Sequence, residues 1–140
     1  MTVNEADLTM ILADRLAAIV PAGFHVQAAH GMLRYSAEEG RFPGQQGNYH
    51  VGPAGTDVRT NLRAPGDPDA DAIVRVAILA LDQLQDYVSE ATHDPWPGTS
   101  RQPPPRAQIR GPVLHLWYGE RDHVVLACRP IPLAGILSPR

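Results

Sequence analysis

One apolar stripe between residues 73 and 91 constrains the fold more than any other feature of this sequence. Apolar side chains recur there every three or four residues, the spacing that places them on one face of an α-helix. Asp67 is a suitable N-cap, and Pro68 suits the first helical position. The pattern predicts a helix of about five turns whose wide apolar face is covered on two sides. The stripe comprises Ile73, Val76, Ala77, Ala80, Leu81, Leu84, Tyr87, Val88 and Ala91.

A second amphipathic pattern, between Thr2 and Val20, predicts another helix that packs on the core. The sequence Pro-Ala-Gly at residues 21–23 ends it. The segment starts with acidic residues and has no basic leader, so we do not expect a secretory signal. The apolar positions of this helix are Leu8, Ile11, Leu12, Leu16 and Ile19.

Several shorter segments have the composition and the period of two that are typical of β-strands. His30-Gly31 and residues 119–122 have turn chemistry, so the strands that flank each of them are expected to form antiparallel hairpins. Residues 37–56 have no period and are rich in Gly and Pro, which predicts a long surface loop with a short extended piece at 49–51. The expected strands are 24–28, 32–35, 56–62, 113–118 and 123–128.

The expected order is a helix, two or three strands, a long helix and two strands. Short links favour antiparallel neighbours, and helices on one side of such a sheet form a second layer. We therefore predict one α+β domain over residues 1–140. It is a two-layer sandwich in which an antiparallel sheet of about five strands packs against two main helices. The apolar tail at 130–137 is expected to cross the core as an extended strap.

Trp117 and Tyr118 place one aromatic ring on each face of the strand at 113–118. A strand that is apolar on both faces must be covered on both sides. Either the chain's own core or a second subunit provides that cover. The sequence leaves both possibilities open.

The charges of the chain are unevenly distributed. The formal net charge is −3, which gives no general attraction to nucleic acid. Residues 67–94 hold seven acids and one arginine, a formal charge of −6, whereas residues 95–140 hold six arginines and two acids, a formal charge of +4. We interpret this asymmetry as complementary outer surfaces of a helix and a sheet, in preference to an electrostatic field for a partner.

The composition also bounds the location of the protein. There is no run of eighteen uninterrupted apolar residues, so no membrane span is predicted. The single cysteine, Cys128, lies in an apolar run and is expected to be a small core residue. A reducing compartment, the cytoplasm, is the expected location.

The sequence contains little that predicts chemistry. Its histidines have neither the helical spacing nor the paired cysteines of a zinc site, and no phosphate-binding loop or nucleophile motif occurs. His93-Asp94 is an adjacent acid/base pair, but it also has the composition of a helix end. We therefore predict no metal site and no cofactor, and the sequence leans against an enzyme without identifying catalytic residues. The isolated histidines are His25, His30, His50, His93, His115 and His123.

Two stretches carry a resemblance to known proteins. Residues 84–98 (LQDYVSEATHDPWPG) and 114–119 (LHLWYG) resemble small proteins of high-GC actinobacteria, and this resemblance implies no activity. The predicted order of elements is similar to the fold of type III secretion chaperones and related small dimeric adaptor domains. That second resemblance implies binding of other polypeptides.

Two functions remain open at this point. The first is a non-catalytic interaction or accessory domain that binds another polypeptide, or a second copy of itself as a homodimer. It would use an exposed sheet face or edge and the loop at 41–50. The alternative is a small enzyme or small-molecule-binding protein with a cleft between that loop and the corner at 93–96. The candidate binding residues are Arg41, Phe42, Tyr49, His50, His93, Asp94 and Trp96.

Overall fold

The computed structural model describes residues 2–3, 5–29, 32–38, 49–52, 68–98, 102–135 and 137–138. Helix α1 spans Glu5–Ala17 and helix α2 spans Pro68–Thr92. The 3-10 helix η1, Leu133–Gly135, follows near the end of the chain. The strands are β1 Thr2–Val3, β2 Phe24–Ala29, β3 Met32–Ala37, β4 Tyr49–Gly52, β5 Pro105–Arg110, β6 Val113–Glu120, β7 His123–Ala127, β8 Ile131–Pro132 and β9 Leu137–Ser138.

The strands form antiparallel sheets, and the α+β class and the predicted order of the main elements are confirmed. One main sheet has the order β2-β3-β4, and the other has the order β5-β6-β7, with β8 also paired to β6. Strand β1 pairs with β9. The main strands thus fall into two sheets, and in the second sheet β6 is central, with β5 at one edge and β7 and β8 at the other.

The predicted hairpins are present in the structure. Strands β2 and β3 pair up to Ala29 and Met32, which leaves the two-residue link that the sequence predicts. The extended piece near Tyr49 is β4, which pairs with β3. The expected strand at 56–62 and the N-cap Asp67 lie outside the described residues.

Helix α2 lies at the centre of the core. Its apolar stripe is buried except for Tyr87, which is half-buried, and Leu81 and Val88 are fully inaccessible to solvent. Burial of each large aliphatic side chain contributes roughly 1.5–3 kcal/mol, so the stripe is a dominant source of stability. The remaining core residues come from α1 and from both main sheets.

Two tyrosines connect the main sheets to successive carbonyl groups of α2. The Tyr35 hydroxyl, from β3, donates to the Ala80 carbonyl oxygen at 3.1 Å. The Tyr118 hydroxyl, from β6, donates to the Leu81 carbonyl oxygen at 2.6 Å. Both tyrosines are fully buried. A buried hydroxyl needs a partner, and α2 provides one for each sheet within a single helical turn.

Strand β5 is an element that the sequence did not predict. The buried Gln85 side chain donates from Nε2 to the Pro103 carbonyl oxygen at 2.7 Å, and the Gly119 N–H donates to the Pro104 carbonyl oxygen at 2.8 Å. These contacts hold the proline-rich segment between α2 and β6. The chain therefore enters β5 already aligned with β6, from Pro105 onward.

The segment after β7 is attached to α1 through Arg15. This side chain donates from Nε to the Arg129 carbonyl oxygen at 3.0 Å and from Nη2 to the Pro130 carbonyl oxygen at 3.4 Å. It also pairs with Asp14 at 2.6 Å. The next residue, Ile131, is fully buried and pairs with Leu114 of β6. One guanidinium therefore connects the first helix to the end of the second main sheet.

Candidate binding groove over Trp117

Strand β6 buries side chains on both of its faces, as the sequence predicted. Leu114, Leu116 and Tyr118 alternate along it and belong to the core, where Tyr118 contacts α2. Trp117 lies on the opposite, outer face and is only 8 % exposed. The outer face of β6 is therefore where a binding surface has to be sought.

The residues across from Trp117 determine the shape of the outer face. On β7 its partner is Ala127, and on β5 its partner is Arg106. Because directly opposed Cβ atoms lie roughly 5 Å apart, the short Ala127 side chain leaves space beside the indole ring. That space opens along β7 toward Val124, which is 49 % exposed.

The resulting depression has a volume of about 390 Å³, and we name it the Trp117 groove. A second depression of about 380 Å³ adjoins it and shares Trp117 and Arg121. Ile78 of α2 and the Arg106–Glu120 pair line that second depression. The residues that define the Trp117 groove are Arg110, His115, Trp117, Arg121, Val124 and Ala127.

The Trp117 groove has positive charge at both of its ends. Arg110 lies on β5 across from the first residue of β6, and Arg121 follows the last residue of β6. Arg110 donates from Nε to the Gln108 side-chain oxygen at 3.1 Å, which leaves its charge unneutralised. Arg121 forms no ion pair with any residue that the structure describes. The nearby Glu120 carboxylate is already paired with Arg106 at 3.1 Å.

The acidic side of the molecule does not neutralise these arginines. Asp82, Asp86 and Glu90 are exposed on α2, four residues apart along the helix. No ion pair joins them to the second main sheet within the described ranges. Partial burial and the neighbouring Asp86 carboxylate raise the pKa of Asp82 above its usual range. No described ion pair therefore joins the two groups of charges, and each is available to a partner.

Cys128 also borders the Trp117 groove but is unsuited to nucleophilic chemistry. It is a free, buried thiol. Burial raises its pKa to about 11, although the positive charge of Arg15 partly opposes this effect. The nucleophile in cysteine chemistry is the thiolate, so a thiol with a raised pKa is unreactive at neutral pH. Cys128 is therefore a core residue.

The raised pKa of Cys128 makes the stability of the protein depend on alkaline pH. An unfolded thiol ionises near pH 8.5, so between about pH 8.5 and 11 the unfolded state binds fewer protons than the folded state. The contribution of the buried, protonated thiol to the free energy of unfolding is fully present below about pH 8.5, and it is lost as the pH rises toward about 11. Between pH 8 and 9.5 we expect the wild-type free energy of unfolding to fall by about 1 kcal/mol more than that of Cys128→Ala.

Urea denaturation at both pH values, followed by circular dichroism, measures this difference. Unfolded tyrosines ionise at roughly pH 10 and begin to do so in this range, but Tyr35 and Tyr118 are present in both proteins, so their contribution cancels in the comparison. Equal losses in the wild type and in Cys128→Ala would contradict the assignment of Cys128 as a buried, protonated thiol.

The candidate residues at the end of α2 form a helix terminus. His93 is exposed and adopts a left-handed φ of 61°, and Asp94 is also exposed. Trp96 is half-buried and meets Tyr118 edge to face, with the ring centroids 5.3 Å apart. The backbone N–H of Trp96 donates to the Ser89 hydroxyl oxygen at 3.2 Å. These contacts give Trp96 a packing role, and a binding role for this corner stays a prediction.

The other candidate residues belong to or precede β4. The backbones of Tyr49 and His50 pair with Ser36 and Tyr35 of β3. Arg41 and Phe42 lie outside the described residues. The cleft predicted between this loop and the helix end therefore stays a prediction.

Sequence reasoning did not identify the residues of the Trp117 groove as a set. Two signals pointed toward it: the positive charge of residues 95–140 and the two-faced strand with Trp117 and Tyr118. Neither signal was sufficient, because Arg110, Val124 and Ala127 meet Trp117 only through the strand register.

Two further findings concern metal binding and membrane crossing. Within the described residues, no three or more His, Cys, Asp or Glu side chains are grouped closely enough to hold a metal ion. Neither α1 nor α2, as described, combines the length and hydrophobicity needed to cross a membrane.

Comparison of the chain with models of protein families, with curated proteins and with solved structures gave no match.

Proposed function

We propose that this protein is a non-catalytic interaction domain that binds an extended segment of another polypeptide along β7. The observation that carries the proposal is the exposure of this strand. Val124 is 49 % exposed and Val125 is 41 % exposed. In the described part of the chain, β7 is paired only with β6, so its other edge has no strand partner.

An unpaired strand edge presents a row of backbone N–H and C=O groups. Proteins usually protect such an edge with lysine, proline or a covering segment, because it otherwise pairs with other chains. The β7 sequence, His-Val-Val-Leu-Ala, contains no acid, arginine or proline and is rich in residues that favour strands. These features support peptide binding by strand addition, in which the backbone provides affinity and alternate side chains enter neighbouring pockets.

The Trp117 groove is in the correct place to act as such a pocket. Val124 and Ala127 belong to β7 and also line the groove. A side chain of an added strand would cross β7 beside Ala127 and enter the depression, of which the largely buried Trp117 forms one wall. The proposed setting is the cytoplasm, which the free thiol of Cys128 supports.

The test uses Val124→Lys, which places a charge on the exposed edge strand without altering a core position. Met10→Lys is a matched control, because Met10 is 62 % exposed and lies on α1. Peptides are selected on the purified wild-type protein from a phage-displayed library of short linear sequences. We expect Val124→Lys to weaken their binding at least tenfold, roughly 1.4 kcal/mol, and Met10→Lys to leave it unchanged.

Amide hydrogen exchange identifies the site of binding. The selected peptides should slow exchange of β7 amides, since strand addition protects them with new hydrogen bonds. The proposal fails if no peptide is selected, or if the selected peptides bind Val124→Lys and the wild type equally. A wild-type protein that sediments as a dimer, with a Val124→Lys variant that sediments as a monomer, would instead assign this edge to a second copy of the chain.

A further inference from the structure

The charges around the Trp117 groove suggest which polypeptides would bind, if the proposed strand addition at β7 is correct. We infer that the groove selects extended segments with acidic side chains. Arg110 and Arg121 lie at its two ends, and neither is paired with a carboxylate within the described residues. Carboxylates are the natural partners of guanidinium groups, which can bind them through two hydrogen bonds.

The two arginines reach the Trp117 groove from different segments of the chain. Arg110 lies across from Val113, and Arg121 follows Glu120, so the two arginines originate at opposite ends of the eight-residue strand β6. A strand of that length spans roughly 23–27 Å. Among the described residues, β7 pairs only with residues 117–120 of β6, so a peptide added to β7 lies beside Arg121, and its side chains approach Arg110 only by crossing β7 into the groove.

The local charge balance supports an acidic occupant. Glu120 is paired with Arg106, and the exposed Asp122 is the one further acid between β6 and β7. Arg110 and Arg121 therefore outnumber Asp122, the one acid there without a described ion pair, whereas Arg129 is paired with Asp14 at 3.7 Å. The acids of α2 lie on another surface, where they would repel the same ligand and so favour binding at the groove.

Trp117 and Ala127 explain how an acidic side chain reaches the arginines. Ala127 provides no bulk beside the indole, so the methylene groups of a glutamate can enter the depression against Ala127 and the accessible edge of Trp117 while its carboxylate remains at the solvent-exposed rim. Val124 adds an apolar contact next to the same site. Because alternate side chains of a strand point to the same face, we expect every second residue of the ligand to be acidic.

The test uses two fluorescein-labelled peptides of about eight residues, the length of β6. One alternates Glu and Val, and the other alternates Gln and Val. In low salt we expect the Glu peptide to bind about tenfold more tightly, because two rim charges each contribute about two- to fivefold. This preference should decrease as sodium chloride is added.

Variants of the arginines assign the preference to the groove. Arg121→Gln and Arg110→Gln should each reduce the ratio of the two affinities by about two- to fivefold, mainly by weakening the Glu peptide. Arg75→Gln is the matched control, because Arg75 is an exposed arginine on α2. That variant should leave the ratio unchanged.

The outcomes separate this inference from the proposed function. Equal binding of both peptides, with both weakened by Val124→Lys, would overturn the acidic preference and leave strand addition at β7 intact. Failure of both peptides to bind overturns the preference as well, and the library selection then decides the proposed function independently. If an oligothymidylate competes as effectively as the Glu peptide, the groove is a nucleic-acid site and the inference is wrong.

Discussion

Replacing Tyr118 by alanine is expected to lower the free energy of unfolding by about 3–5 kcal/mol, as truncation of large buried side chains does. The Tyr118 ring is fully buried and contacts Trp96 edge to face at 5.3 Å. Its hydroxyl donates to the Leu81 carbonyl oxygen of α2. The substitution therefore removes core volume, an aromatic contact and the hydrogen bond that ties β6 to the central helix.

Tyr118→Phe separates these contributions, since it keeps the ring and removes the hydroxyl. We expect it to cost about 1 kcal/mol, the usual net value of a buried hydrogen bond. The Leu81 carbonyl lies within α2 and keeps its helical acceptor role, so no buried acceptor is orphaned. Urea denaturation followed by circular dichroism measures both variants. A cost below 1 kcal/mol for Tyr118→Ala would show that β6 does not depend on this contact with α2.

Helix α2 was predictable because one local pattern determines it. Its apolar stripe repeats over the full length from Ile73 to Ala91, and the structure buries all of these positions except Tyr87, which is half-buried. The period of two gave β2 and β3 in the same way. In each case the information needed lies within the segment itself.

Strand β5 was not predictable because its stability comes from elsewhere in the chain. Its residues alternate weakly, and all are half-buried or exposed, so no period appears in the sequence. The segment before it is rich in proline, which favours an extended but unpaired chain. The contacts of Gln85 with Pro103 and of Gly119 with Pro104 decide its position. Both join residues that are distant in sequence.

The residues of the candidate groove could not be predicted from the sequence, for a related reason. Residues 119–122 were predicted as the turn of the last hairpin, but Gly119 and Glu120 extend β6 and the turn is Arg121-Asp122. A register shift between Tyr118 and Gly119 accompanies this difference. Small changes of register reassign every cross-strand neighbour, so the pairing of Trp117 with Ala127 could not be deduced.

The register shift next to Gly119 predicts a large loss of stability when this glycine is replaced. Gly119 has a φ of 118°, a conformation that side chains with a Cβ rarely adopt. A Cβ atom added there would lie 2.5 Å from the His123 carbonyl oxygen and 2.9 Å from the Val125 nitrogen. Both are backbone atoms of β7, so they cannot rotate away as a flexible side chain would.

Gly119→Ala is therefore expected to lower the free energy of unfolding by roughly 2–4 kcal/mol, from backbone strain combined with this close contact. Gly111→Ala is a matched control. Gly111 also has a positive φ, 59°, but an added Cβ would meet nothing within 4 Å. Gly111→Ala should lower the free energy of unfolding by about 1 kcal/mol, because it adds the strain of a positive φ without a close contact. Urea denaturation of the two variants gives the comparison.

The same pair of variants tests whether the irregularity positions the binding edge. Val124 pairs with Gly119, so a shift of the β7 backbone away from a new Cβ would move the exposed edge and the wall of the Trp117 groove together. Peptides selected on the wild type should then bind Gly119→Ala at least severalfold more weakly under conditions where it is fully folded, and Gly111→Ala normally. Equal costs in stability and unchanged peptide binding for both variants would mean that β7 adapts freely at Gly119. Other contacts would then determine the position of the exposed edge of β7.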